Sequence, residues 1–330
     1  MLRIRRALLL AAGLAACTAP AFGQQAQREI AQLNGDVYWA RDFDLHVSTF
    51  MVTPEGIVLA DPIGTEFATW LKGELQQRFN VPVRYVVYSH RDWDHASGGA
   101  VFADTAQFVA HENTSRHLGM PPASTPLPES AAALDANDNG RLEVGEARGA
   151  LASNFRLYDD NRDGVLNGAE ITRGPLADVR PPDITFADTL TLRLGGKRVE
   201  LIHSPIEHAD DTVTIYYPDD DAVFVVDFVL VNRVPFGTLV GEVDEAKAIE
   251  VLDFDYFAPG HGQIGTRADF VAHRQYREDL RDAVAAGIAA GRSVDDLRTN
   301  LRLEEYADWE FFEQWGPDNI AGMYDILMAR

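Results

Sequence analysis

The sequence predicts an α/β fold built from two groups of short strands with helices beside them, interrupted by a small acidic insertion. Strand-like runs cluster over residues 35–88 and return over 190–227, and a helical pattern at 66–79 separates two strands of the first group. Between the groups, residues 135–170 have a different texture, a repeat of Asp, Asn and Gly.

The chain has 330 residues, enough for one large α/β domain with an insertion or for two ordinary domains. Its formal charge is -22, with 51 acidic residues against 29 basic. Most of such a surface repels a nucleic-acid backbone or an anionic membrane, so the partners expected are cations and a small-molecule substrate. Oligomeric state is left open by the sequence.

Arg3, Arg5 and Arg6 precede an apolar run at 7–16, the pattern of an export signal at 1–23 and too short for a membrane span. Two processing outcomes fit. Ala21 and Gly23 are small residues of the kind a signal peptidase reads, giving a periplasmic protein, while Leu14-Ala15-Ala16-Cys17 resembles a lipobox, giving a membrane-anchored lipoprotein held through Cys17. Cys17 is the only cysteine, so no intramolecular disulfide or thiolate ligand is available and metals must be held by imidazole and oxygen.

Within the first group, 35–39, 45–52 and 56–61 read as strands separated by turn residues. Phe67, Trp70, Leu71, Leu75 and Phe79 then recur at helical spacing, and a strand at 81–88 follows. In the second group 190–194 and 199–203 flank a Gly195-Gly196 turn, with 212–217 and 222–227 beyond. The tail from 267 carries Phe270, Tyr276, Leu280, Val284 and Ile288 at helical spacing, and its Trp309, Phe311, Phe312, Trp315 and Tyr324 are expected to pack in the core. The boundaries expected are 30–120 and 181–330 for the two parts of the main domain, with the insertion at 121–180 bordered by Pro121-Pro122, Pro126, Pro128, Pro175 and Pro181-Pro182.

The densest chemistry lies just after the 81–88 strand, where His90, Asp92, Asp94 and His95 fall within one short loop. Side chains two apart converge while neighbours diverge, so this loop can offer ligands to two adjacent cations, although a solvated polar turn has the same composition. His208, Asp227 and His261 add ligand-type residues at the ends of later strands, which points to a metal site rather than a solvated turn.

The insertion holds two twelve-residue loops that fit the EF-hand pattern. Asp135, Asn137 and Asn139 offer oxygens at positions 1, 3 and 5, Gly140 allows the turn, Arg141 offers its carbonyl and Glu146 closes the set. Asp159, Asn161, Asp163, Gly164, Val165 and Glu170 repeat that arrangement. About two calcium ions are expected, as a staple ordering the insertion rather than a switch. The short spacing predicts one helix between the loops, with Ala147, Leu151 and Phe155 on one face.

Over about 36–280 the chain resembles the metallo-β-lactamase superfamily. The family's His-x-His-x-Asp-His pattern is matched at His90, Asp94 and His95, its later His at His208, its bridging acid at Asp227, and its final His in Pro259-Gly260-His261-Gly262. Asp61 resembles the family's supporting Asp. The resemblance implies a four-layer αβ/βα sandwich, here with a small helical EF-hand insertion. It also implies that His90, Asp92 and His208 hold one metal, that Asp94, His95 and His261 hold the other, and that Asp227 lies between. Asp94 would hold the attacking water and handle its proton.

Asp92 departs from the family, which usually has His there. Its carboxylate is a harder donor, which keeps iron and manganese open beside zinc, the default. The function expected is an exported binuclear hydrolase of a small ester, lactone, amide or sulfate-type substrate, acting through a metal-bound hydroxide. A β-lactamase, a di-iron oxidoreductase on the same fold, and a calcium-dependent binding protein on a spent hydrolase fold are the competing readings.

Overall fold

The computed structural model describes residues 28–43, 46–204, 208–241 and 243–329. The leader expected at 1–23, with Cys17, lies outside the described residues. No helix among the described residues is long and apolar enough to cross a membrane.

Two sheets face each other. The first contains β1 (Glu29–Asn34), β2 (Val37–Asp42), β3 (His46–Thr53), β4 (Gly56–Ala60), β5 (Val83–Val87) and β6 (Gln107–His111) in spatial order. After the insertion, whose short strands are β7 (Leu142–Glu143) and β8 (Val165–Leu166), β9 (Ile184–Phe186) completes this sheet beside β6. The second sheet runs in order through β10 (Thr189–Leu194), β11 (Lys197–His203), β12 (Val213–Tyr217), β13 (Ala222–Val226), β14 (Tyr256–Pro259) and β15 (Gly265–Thr266).

Apolar residues on the inner faces make the central core, among them Met51, Val58, Val87 and Val109 from one sheet and Leu201, Ile215 and Phe224 from the other. Phe50, Leu59, Val86 and Phe108 on the outer face of the first sheet pack against Phe67, Leu71 and Leu75 of the helix Thr65–Phe79. Val223, Val225 and Phe257 on the outer face of the second sheet pack against Ala246, Ile249 and Phe270 from the helices Val243–Glu250 and Arg267–Ala289. Both strand sets are buried on both faces, so the layers run helix, sheet, sheet, helix. This is the four-layer αβ/βα sandwich.

Each sheet contains a parallel crossover. β4 and β5 pair in parallel across the helix Thr65–Phe79, and β13 and β14 do the same across Val243–Glu250. Parallel neighbours place their carboxyl ends at the same edge, where open α/β sheets bind ligands. Asp61, the 88–95 loop, Asp227 and the 260–261 turn therefore leave the two sheets together. Antiparallel pairing of β3 with β4 brings the first residue of β3, His46, to this edge as well. Two backbone hydrogen bonds stitch the sheets there: Val213 N–H donates to Ser89 C=O at 2.7 Å, and Val47 N–H to Gly260 C=O at 2.8 Å.

In the insertion, β7 and β8 pair antiparallel, Leu142 opposite Leu166, over a small core that includes Ala147 and Phe155. The single helix expected between the loops is instead two four-residue helices, Ala150–Ser153 and Phe155–Tyr158. Gly149 at φ 56 precedes the first, and Asn154, at φ -111 and ψ 20, breaks the chain between them. Gly and Asn are both poor helix residues that favour such breaks. In the tail, Phe312 is buried and Trp309, Trp315 and Tyr324 pack against the same core, whereas Phe311 is exposed and stacks on Trp315 at 4.2 Å.

Candidate metal centre

Seven predicted ligand residues converge at the shared edge. His90 Nε2 lies 3.4 Å from Asp92 Oδ2, and His208 Nε2 lies 3.2 Å from both of these atoms. A second set adjoins it. His261 Nε2 is 3.3 Å from Asp94 Oδ2 and 3.3 Å from His95 Nε2, with Asp94 Oδ2 and His95 Nε2 3.9 Å apart. Asp227 stands between: Oδ2 lies 3.3 to 3.8 Å from His95, His208 and His90, and Oδ1 lies 3.3 Å from His261. The structure thus brings His90, Asp92 and His208 together, and Asp94, His95 and His261 together, with Asp227 in contact with members of both.

These spacings fit cations better than they fit hydrogen bonds. Two donors bound about 2.0–2.2 Å from one ion at a tetrahedral angle lie about 3.3–3.6 Å apart, whereas a charge-assisted N–H···O contact settles at about 2.7–2.9 Å. Asp227 Oδ1 is buried and, among the described residues, accepts no well-formed hydrogen bond, a cost relieved by a cation. The donor set, imidazole nitrogens and carboxylate oxygens, suits divalent transition metals.

A further acid orients the rings. Asp61, fully buried, accepts from Ser89 N–H at 2.8 Å, from the Ser89 hydroxyl at 2.6 Å and from His95 Nδ1 at 2.9 Å. The Ser89 proton is committed to Asp61, so its oxygen accepts from His90 Nδ1 at 3.0 Å. Both rings thereby keep Nδ1 protonated and turn Nε2 to the centre, the atom that metal ligation uses. Asp61 at φ 56 and Val226 at φ 50 make sharp left-handed steps at the ends of β4 and β13, which aim Asp61 and Asp227. For a β-branched residue such as Val226 this costs on the order of 1–3 kcal/mol, held by the surrounding sheet.

Charge balances across the centre. Burial alone would raise the Asp92, Asp94 and Asp227 carboxyls, but the facing imidazoles hold all three below the usual range. Burial would likewise lower His95, His208 and His261, yet the facing carboxylates lift them, His261 to about 9. A site that recruits protons so strongly offers a good place for a metal's positive charge.

Gly260 explains the Pro-Gly-His turn. A Cβ there would lie 2.1 Å from Asp227 Oδ1 and 2.8 Å from His95 Cε1, so only glycine lets the backbone pass this close to the centre.

The sequence reading missed His46. Its Nε2 lies 3.2 Å from Asp94 Oδ2, and it forms a third convergent group with Asp94 and His261. The only sequence signal was an imidazole at the start of an otherwise apolar and hydroxylated strand.

A cleft of about 770 Å³ opens beside His46 and Asp94. Ile63, Phe67 and Trp93 line it from the sandwich, and Arg156, Leu157 and Asp159 from the insertion. On the other side of Trp93, a second hollow of about 390 Å³ gathers Arg91, Arg116, His117 and Arg173 beside Asp92.

In the insertion, the two twelve-residue loops repeat one hydrogen-bond pattern. Asp135 accepts from the N–H groups of Asn139 and Gly140, and Asp159 from those of Asp163 and Gly164. Asn137 and Asn161 each accept from the residue two further on, Asn139 and Asp163. Glu146 reaches back to Ala136 N–H at 3.0 Å, and Glu170 to Asp160 N–H at 3.2 Å. Arg141 and Val165 follow the turning glycines Gly140 and Gly164, both at positive φ.

The four-layer sandwich with histidines and aspartates along one edge defines a metal-dependent hydrolase type of fold. Residues 41–289 match the metallo-beta-lactamase superfamily, and the chain belongs to it. Members typically are hydrolases and typically bind two metal ions, for which the candidate clusters are present.

Among curated proteins, the chain is 25% identical over 244 residues to the 2,4-dinitroanisole O-demethylase subunit alpha of Nocardioides sp. (strain JS1661), covering 72% of this chain and 56% of that one. The chain thus spans little more than half the length of that relative. Among solved structures, it resembles a metallo-beta-lactamase from Pontibacter korlensis, with a TM-score of 0.51, 18% identity, and coverage of 76% of this chain and 99% of that one. It also resembles the stereoselective inverting sec-alkylsulfatase Pisa1 from Pseudomonas sp., with a TM-score of 0.62, 15% identity, and coverage of 91% and 50%. At these identities the structural likenesses establish the fold.

Proposed function

We propose that the chain is an exported hydrolase that uses two divalent metals to cleave a small ester, lactone, amide or sulfate-type bond. The observation that carries this reading is the convergence of seven donors at metal-ligand spacing on the rim of an open cleft. When bound, the two ions would supply Lewis acidity and lower the pKa of a water at neutral pH. Zinc fits the imidazole-rich set; the Asp92 carboxylate favours iron or manganese as the second choice.

The remaining work falls to the chain. Asp94 orients the attacking water and takes its proton. Asp61 and Ser89 fix the His95 and His90 rings, so the donors are ready before substrate arrives. Trp93, Ile63 and Phe67 give the cleft an apolar wall for the substrate body. In the hollow beside Asp92, Arg91 is paired with Asp210 and Arg173 with Asp160, so Arg116 is the cation offered there to a sulfate-type or other anionic group within the proposed set.

Each of the two insertion loops is proposed to take one calcium ion: Asp135, Asn137, Asn139, Arg141 and Glu146 in the first, and Asp159, Asn161, Asp163, Val165 and Glu170 in the second. Residues 1–23 are proposed to direct export to the periplasm, with lipid anchoring at Cys17 as the alternative outcome.

The test is metal content together with a substrate panel on purified protein, with and without a transition-metal chelator. The panel includes a lactone, an aryl ester, a secondary alkyl sulfate, 2,4-dinitroanisole and a carbapenem. Chelator-sensitive turnover of an ester, lactone, amide or sulfate at two bound ions supports the proposal. Turnover of the carbapenem alone makes it a β-lactamase. Two irons with redox activity and no hydrolysis make it an oxidoreductase.

A further inference from the structure

We propose that His46 is a protein ligand of the second ion, joining Asp94 and His261 beside His95, and that this extra donor makes the second position fill before the first. The inference rests on the two-ion reading above.

The place of His46 is fixed by backbone rather than by chance of rotamer. It pairs with His261 in an isolated bridge between the two sheets, and the next residue, Val47, donates its N–H to Gly260 C=O at 2.8 Å. The two imidazoles are thus held side by side, ring centroids 4.8 Å apart, on the two chain segments that close this end of the sandwich. The His46 ring is mostly buried, with 18% of its side chain exposed.

Convergence marks a ligand: the donor atoms of His46, Asp94 and His261 gather in one group. His46 Nε2 lies 3.2 Å from Asp94 Oδ2, close to the 3.3 Å between His261 Nε2 and that same oxygen. A charge-assisted hydrogen bond to a carboxylate would settle near 2.7–2.9 Å, as His95 Nδ1 does on Asp61 at 2.9 Å. Two ligands of one ion, each about 2.0–2.2 Å from it at a tetrahedral angle, lie about 3.3–3.6 Å apart, and the contacts to Asp94 fall at the near end of that range.

The donor count then becomes unequal. The second position gathers His46, His261 and Asp94, with His95 3.3 Å from His261, and the first has two imidazoles and Asp92, whose side chain is 39% exposed; Asp227 lies beside both. More nitrogen donors and less solvent give the second position the higher affinity for zinc-like ions. The first position, facing solvent with fewer donors, is left freer for substrate.

The experiment titrates the full-length protein, stripped of transition metal by a chelator, with Co²⁺, following the visible d–d absorption and the ions bound. The wild type is expected to take two ions, the first more tightly. His46→Ala should weaken the first by at least about tenfold and change its band shape, while His208→Ala should spare it and lose the second.

His46→Gln keeps an amide that can still donate to Asp94 but ligates poorly, so it should behave as His46→Ala does. A His46→Gln protein with the wild-type titration and spectrum reduces His46 to a hydrogen-bond donor and overturns the inference. Wild-type behaviour of His46→Ala overturns it equally, with the two-ion reading intact. A wild type that takes fewer than two ions overturns both. If His46→Ala fails to fold, judged by the melting temperature of its metal-free form, the His46→Gln titration decides.

Discussion

Asp61 Oδ2 and His95 Nδ1 lie 2.9 Å apart, both fully buried, and through this contact a strand end from one crossover orients a ligand from the next. The same oxygen receives the Ser89 hydroxyl, which in turn accepts from His90, so one carboxylate sets the tautomer of two rings. Asn at position 61 would turn an N–H₂ group towards donors that now meet only acceptors. Asp61→Asn should therefore lose about 10–100-fold in transition-metal affinity with little change in secondary structure. Chelator competition monitored alongside circular dichroism measures this; unchanged affinity would show that the rings orient themselves without Asp61.

Gly260 has no room for a side chain, because a Cβ would sit 2.1 Å from the acid shared by both ligand groups. Gly260→Ala should push Asp227 and His261 apart and reduce turnover by about 100-fold or more, the scale expected when a positioning shift of about 1 Å disturbs a reactive centre. Metal analysis should show ions lost from the second position first. Steady-state rates and bound-metal counts on the same preparation check this, and a variant with two ions and near-native turnover contradicts it.

Much of the sandwich was legible because its strands carry buried runs such as Ile57–Val58–Leu59 and Val223–Phe224–Val225, and because turns such as Gly195-Gly196 separate them. β1, β6, β9 and β14 were not read as strands: Glu29–Asn34 is half polar and partly exposed, Ile184–Phe186 is only three residues long, and Gln107–His111 and Tyr256–Pro259 are short runs of four or five residues. The ligand loop and its later partners were readable from residue type at strand ends. His46 was not, since its position depends on pairing with Gly260 and His261, more than two hundred residues away, and no local pattern encodes that register. The broken helix at Asn154 reflects local conformation overriding a correct burial pattern, since Ala147 and Phe155 are buried as the spacing required.

His273 makes stability depend on pH. It is fully buried against Tyr276 and Trp309, neither ring nitrogen has a hydrogen-bond partner among the described residues, and burial, reinforced by the Arg277 charge, holds its pKa well below the ordinary value. The unfolded chain takes up this proton near pH 6.5 while the folded chain resists it, so the unfolded state binds more protons as pH falls. The stabilisation is fully present above about pH 6.5 and is lost at up to about 1.4 kcal/mol per pH unit below it, until the folded-state pKa is reached. His273→Phe, which keeps the stack on Trp309, should flatten this dependence. Denaturant midpoints at pH 7 and pH 5 measure it; an equal acid loss in wild type and variant would place the sensitivity elsewhere.

The second insertion loop is wired to the cleft and the first is not. Asp159 and Leu157 line the cleft beside Asp94, and Arg162 of the same loop reaches Asp178, which also accepts from Thr65 at 2.7 Å where the first crossover helix begins. Calcium at this loop should fix that wall as well as stabilise the fold, by about 2.7 kcal/mol at a hundredfold excess over its dissociation constant. Removing one calcium ligand from each loop separates the two effects. Asp159→Ala and Asp135→Ala should both lower the calcium-dependent rise in melting temperature, but only Asp159→Ala should raise KM, about fivefold, with kcat little changed, because the wall binds substrate without touching the reacting bond. Equal KM values for the two variants, measured with saturating transition metal and varied calcium, would make the insertion a staple for the fold alone.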